Sequence, residues 1–228
     1  MGSCCVIDSN LLAEQLIRTV LKDESLTIRK YNYSELFNEI ISKGVEKEIS
    51  KEHLKEFLMP LFFDSKKTLS NDIYIESILN YILDHLEETD NMHTILLYFY
   101  PFIKHDEEKI ENNFFNIIRF ITQTPRLEIP RENVRKCLFN YILFCSWEIT
   151  NAIRIKLPPI DDLNISFISL LKGNYAEDKI YGFLERLMKE LTGDNSEKLI
   201  TLEMFQKMFK KYDISEIEKV RDYLLIEE

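Results

Sequence analysis

A chain of 228 residues that is 45% hydrophobic and 30% charged carries enough apolar material for one core or two small ones, and its five glycines and six prolines argue against a turn-rich β fold and against disorder. A net charge of −10 with no cluster of Lys and Arg excludes a nucleic-acid binder that works by neutralising phosphate, and it weakens any purely electrostatic hold on anionic lipid. The longest apolar run, residues 95–103, contains Pro101 and is about half the roughly 18 residues of a membrane span.

Apolar residues recur at helical spacing along nearly the whole chain, which predicts an all-α fold of about ten to twelve short helices. In chain order they are expected near 9–22, 32–43, 51–63, 71–89, 93–104, 107–122, 131–148, 162–172, 176–192, 202–212 and 214–226. Ile75, Leu79, Leu83 and Leu86 make one stripe, with Ile78 and Ile82 beside it. Val134, Cys137, Leu138, Tyr141, Ile142 and Cys145 make a second. Ile180, Phe183, Leu184, Leu187, Met188 and Leu191 make a third. No stretch shows a convincing period of two, so no strand is expected from pattern alone.

Four helices open with an aliphatic residue, then a capping residue or proline, then an acid. Ser50, Ser70 and Thr201 are the expected N-caps, and Pro130 fits a first helical turn. Glu52, Asp72, Glu132 and Glu203 stand where a helix dipole favours an anion. Segments 69–84 and 129–144 align at an offset of 60, sharing Asn-Tyr-Ile-Leu, and 57–74 aligns with 98–115 at an offset of 41, pairing Pro60 with Pro101. Both offsets are near multiples of one helix plus one turn, so a helix–turn repeat is expected and its longer period stays open. "IKLPPIDDLN" interrupts the pattern at 155–164. The expected organisation is an N-terminal segment 1–8, a helical domain 9–154, a linker 155–164 and a C-terminal helical subdomain 165–228.

Phe37, Ile41, Ile49 and Leu54 have the spacing of a helix, a twelve-residue loop and a second helix. Ile117, Ile121, Ile129 and Val134 repeat it, as do Leu187, Leu191, Leu199 and Met204. In this the chain resembles the EF-hand family, whose eighth loop position is an aliphatic residue that joins two hands through a short β-bridge. The resemblance implies helix–loop–helix units in pairs, of which only one parity can be real, since neighbouring turns share a helix. Calcium in that family needs oxygen donors at loop positions 1, 3, 5, 7 and 12. The 42–53 and 122–133 loops place Lys47 and Arg126 among the donors, and only 192–203 offers a partial set, in Thr192, Asp194, Ser196 and Glu203. Hairpins of about 40 residues with a helix proline also resemble HEAT-type solenoids, which is the alternative arrangement.

The start "MGSCC" resembles that of doubly acylated proteins, which implies myristate at Gly2 and palmitate at Cys4 and Cys5. Val6 departs from the usual Ser or Thr, and "MGS" is equally a vector-like start. A single myristoyl chain holds a membrane only marginally, so palmitate supplies the second signal where no basic patch exists. The N-terminus lacks the cationic and apolar segments of a secretory leader. Cys137 and Cys145, eight residues or about 12 Å apart on one helix, cannot bridge within it. Reduced thiols and a cytoplasmic location, at the face of a membrane if acylated, are therefore expected.

No glycine-rich phosphate loop, HExxH, paired CxxC or GxSxG motif is present, and no catalytic residue is assigned. His85 and His93 fall among acids but not on one helix face, which suits a solvated helix end better than a metal site. Cys137 is expected to pack rather than react, and Trp147 to belong to the core. The expected function is a non-enzymatic adaptor or structural protein with no cofactor, binding a protein partner at a membrane or a cytoskeletal assembly. The alternatives are an acylated calcium sensor using the 192–203 loop, and a small helical enzyme.

Overall fold

The computed structural model describes residues 18–19, 26–42, 51–62, 72–85, 92–106, 108–154, 177–193 and 199–225. The fold is all-α. A 3-10 turn, Thr27–Lys30, leads into α1 (Tyr33–Ser42), α2 (Lys51–Phe62), α3 (Asp72–His85) and α4 (Met92–Phe99). A second 3-10 turn, Tyr100–Phe102, leads into α5 (Ile110–Ile121), strand β1 (Glu128–Pro130) and α6 (Arg131–Leu143). A π turn, Phe144–Glu148, joins α6 to α7 (Ile149–Arg154), and α8 (Glu177–Thr192), β2 (Leu199–Thr201), α9 (Leu202–Lys211) and α10 (Ile217–Leu225) complete the order.

The helical stripes become the core. All six residues of the 180–191 stripe and all six of the 134–145 stripe are buried, as are Ile78, Leu79, Ile82 and Leu83 of α3. Phe114 of α5 meets Tyr100 edge-on at 5.0 Å and Tyr141 edge-on at 4.9 Å, and lies against Phe205 at 5.8 Å. One side chain thus ties α5 to the 3-10 turn, to α6 and to α9, and many of the described aromatics pack in this way.

Local chemistry sets the helix ends. Asn32 and Glu35 form a reciprocal capping box at the start of α1: Glu35 N donates to Asn32 Oδ1 at 3.0 Å and Asn32 N to Glu35 Oε2 at 2.8 Å. Thr201 caps α9 as expected, accepting from Met204 N at 3.3 Å. Pro130 stands one residue earlier than expected, at the N-cap of α6 rather than inside its first turn. The helix expected over 93–104 divides, because Pro101 has no N–H to continue the ladder and the chain tightens into the 3-10 turn at Tyr100. Pro60, by contrast, is accommodated inside the last turn of α2. Of the expected helix 9–22 only residues 18 and 19 are described, and 162–172, Ser50 and Ser70 lie outside the described residues.

The expected linker 155–164 also lies outside them. The helices on its two sides pack together, α8 on α6, α9 on α5 and α10 on the π turn. Buried residues from Leu26 to Leu224 join one hydrophobic core. No helix of the described residues is long and apolar enough to cross a membrane.

Candidate functional site: two paired turns

Two helix–turn–helix units, α5–β1–α6 and α8–β2–α9, meet through their turns. β1 and β2 run antiparallel, with Glu128 opposite Thr201, Ile129 opposite Ile200 and Pro130 opposite Leu199. The pair is too short to generate a periodic pattern, which is why periodicity gave no strand and only the family resemblance pointed to a bridge here. Ile129 and Ile200 are both fully buried beneath it, while Leu199 is 42% exposed.

The two turns begin alike. Thr122 ends α5 and its hydroxyl donates back to Ile118 O at 2.9 Å; Thr192 ends α8 and its hydroxyl donates back to Met188 O at 3.0 Å. Each is followed by a residue in the left-handed region, Gln123 at φ 49° and Gly193 at φ 61°. Gln123 N donates to Phe120 O and Thr124 N to Arg119 O, the double bond of a Schellman cap. Gly193 N donates to Lys189 O, the single bond of an αL cap. Glycine takes that conformation freely, whereas Gln123 adopts it against its Cβ and is held there by the two flanking bonds.

From there the turns differ in length. Thr122 precedes Ile129 by seven residues, and Thr192 precedes Ile200 by eight. Counting from Thr192, the expected bridging residue was Leu199; the residue across from Ile129 is Ile200. The second turn holds one extra residue, so Glu203 matches Glu132 in the first turn of the following helix, not Asn133. One residue is about 100° around a helix, so Glu203 does not stand where the twelfth-position carboxylate of the expected frame would. Asp194 and Ser196 lie outside the described residues, so the four expected donors are not seen together.

Gly2, Cys4 and Cys5 are likewise outside the described residues. His93 is half-buried, its ring 4.6 Å from that of Phe120, and His105 lies 4.6 Å from Tyr100 with Nε2 3.1 Å from Ser215 O. The two are separate packing elements, and burial lowers the pKa of each. The side chains of His53 and His85 are outside the described set. Among the described residues no three His, Cys, Asp or Glu side chains group as a metal site would. Cys137 and Cys145 are both buried; burial pushes the Cys137 thiol up to about 12 and the Cys145 thiol higher still, so both are protonated at neutral pH.

Exposed apolar side chains flank the paired turns. Leu127, just before β1, is 67% exposed, and Leu199 projects from β2. Away from the turns, toward the other ends of α8 and α6, Tyr181, 39% exposed, stacks on Phe139 at 5.1 Å. Sequence reasoning missed the role of Ile200, because "LIT" offers two adjacent aliphatics and only the pairing decides which turns inward. It missed Arg221 too, a fully buried cation whose place in "EKVRDY" reads as an exposed face. The cap at Asn32 was missed as well, although Asn followed three residues later by Glu is a capping-box signal. Comparison with known protein families, with curated proteins and with solved structures gives no match.

Proposed function

We propose that the chain is a non-enzymatic adaptor built on a pair of EF-hand-like units whose turns do not carry calcium, and that it presents the surface around those turns to a protein partner. The observation that carries this reading is the antiparallel pairing of Ile129 with Ile200 between two helix–turn–helix units. Of the two possible parities, α5 with α6 and α8 with α9 is the one it favours. The hydroxyls of Thr122 and Thr192 serve to cap helices, and Glu203 is out of frame by one residue, which speaks against calcium at 192–203. Buried, protonated thiols leave Cys137 and Cys145 unsuited to nucleophilic work. Acyl chains on Gly2, Cys4 and Cys5 would hold the adaptor at a membrane, in keeping with a chain that has no basic patch for lipid.

Calorimetric titration of the purified chain with calcium is expected to give no binding heat up to millimolar concentration. Saturable heat at one equivalent, lost in Glu203→Gln, would instead establish the sensor. Cross-linking in native extract followed by mass spectrometry is expected to recover a stoichiometric protein partner through peptides containing Leu127 or Leu199. Recovery of none, or loss of the captured species only when a small substrate is supplied, overturns the adaptor. Intact mass from native cells decides the anchor, since an unmodified N-terminus removes it.

A further inference from the structure

We propose that the π turn 144–148 and α10 form a two-state latch: Arg221 holds the turn in its wide register, and that register seats α7 on α3. The inference is independent of the adaptor reading. Inside an α-helix each N–H reaches the carbonyl four residues back. Here Ile149 N reaches Phe144 O, five residues back, so the helix absorbs one extra residue between α6 and α7.

The wide turn presents carbonyls to a donor from outside. Arg221, fully buried in α10, supplies it: Nη1 lies 3.0 Å from Ser146 O, 3.3 Å from Cys145 O and 3.1 Å from Thr150 Oγ1. The acceptors are organised among themselves. Thr150 Oγ1 donates to Ser146 O at 2.7 Å, and Ser146 Oγ donates to Ile142 O at 2.7 Å. These are charge-assisted bonds in a dry setting, the kind worth most when made and costing most when broken. Without the guanidinium both carbonyls lose their charged donor, Ser146 O retaining the Thr150 hydroxyl, and closing back into an α ladder gives them backbone donors in its place.

That closure moves the far side of the helix. Removing the extra residue turns everything beyond it by about 100° and shifts it about 1.5 Å. What lies beyond is α7, whose Ile149, Ala152 and Ile153 are buried and whose Ala152 O accepts from Ser77 Oγ of α3 at 2.6 Å. A 100° turn carries these contacts away from α3. Docking of α10 and seating of α7 on α3 are therefore one equilibrium, and it links the C-terminal helix to the N-terminal helices through a discrete element rather than a diffuse path. Coupling of this kind is reciprocal.

Hydrogen exchange on the full chain, read by mass spectrometry, tests it. In Arg221→Met, amides of 149–154 are expected to exchange faster by about tenfold or more, the scale of one lost charge-assisted bond, while 114–118 and 183–188 keep their protection. The emission of Trp147, the only tryptophan in the chain, is expected to shift with them. Thr150→Val removes, at nearly constant volume, both an acceptor for Arg221 and the hydroxyl that donates to Ser146 O, and is expected to act in the same direction; it decides the matter should Arg221→Met fail to fold. Ser77→Ala is expected to speed exchange in 217–225, the reciprocal effect. Faster exchange confined to 217–225 in the Arg221 and Thr150 variants means the arginine merely fastens its own helix, and overturns the latch. Unchanged exchange of 217–225 in Ser77→Ala does the same.

Discussion

His105 shows how one side chain can carry a condition on the fold. Its ring is mostly buried against Tyr100, and its Nε2 faces a carbonyl, Ser215 O, so the neutral ring must carry its proton on that nitrogen. Around it stand Asp213, Glu216 and Lys219 on the turn and helix that it touches. Burial disfavours the cation; the bond to Ser215 and the two carboxylates favour it, Lys219 opposes it, and the net pKa lies below the ordinary 6.5. A lowered histidine pKa means the unfolded chain binds the proton more readily than the folded one. Stability is then full above about pH 6.5 and falls as pH drops through and below that value. Asp213 acts in a lower window. Burial pushes its carboxyl up, but bonds from Lys219 and Ser215 carry it below 3.8, so its contribution is lost only as pH falls under about 4. His105→Gln keeps a donor near Ser215 and removes the titration. Urea unfolding of that variant is expected to show a smaller loss of stability between pH 7.5 and pH 5 than the parent chain. His93, also lowered, keeps the remaining slope from vanishing. Equal slopes in variant and parent would mean His105 stays accessible to protons in the folded state.

The β1–β2 pair puts the same kind of question to elements, because it sets the frame in which two turns are compared. Ile200 is fully buried and Leu199 largely exposed. Ile200→Ala is expected to cost about 2–5 kcal/mol, the range for truncating a buried isoleucine, and Leu199→Ala less than about 0.5 kcal/mol. Chemical denaturation followed by the fluorescence of Trp147 separates the two; comparable losses would return the frame to Leu199 and with it Glu203 to the twelfth position. The helices themselves were legible because a burial stripe repeats over three or four turns, as in α8, where six apolar positions agree. The pair was not legible from pattern, because three residues contain no period, and the family resemblance set its bridge at Ile129 but one residue early, at Leu199. The π turn was not, because Phe144–Glu148 continues the helical spacing of α6 and differs only in which carbonyl each N–H reaches. The side chain that bonds the turn's carbonyls, Arg221, lies 72 residues beyond Ile149 in the chain. Partial donor sets such as Thr192 with Glu203 were legible as residue types, but their geometry depends on loop length to a single residue.

At the scale of the whole molecule the question is whether 155–164 separates two folding units. Composition alone makes it a boundary, since two prolines and two aspartates break the helical pattern. The helices beyond it bury Phe183, Leu184 and Leu187 of α8 and Phe205 and Met208 of α9 in the same core as Phe114, Tyr141 and Ile142. Further ties cross as well: Tyr141 OH donates to Ile214 O at 2.8 Å, and Arg221 donates to the π turn. Each large apolar side chain withdrawn from water contributes about 1.5–3 kcal/mol. Five such side chains, with the strand pair and buried hydrogen bonds added, are enough to outweigh the about 4–15 kcal/mol that association of two separate pieces costs. A specific protease site placed within 155–164 should therefore be cut without releasing the halves. The two fragments are expected to co-elute on gel filtration at micromolar concentration and to part only in denaturant, with one unfolding transition for both. Fragments that elute apart, each with its own melting transition, would make the boundary a true linker and divide the core into two.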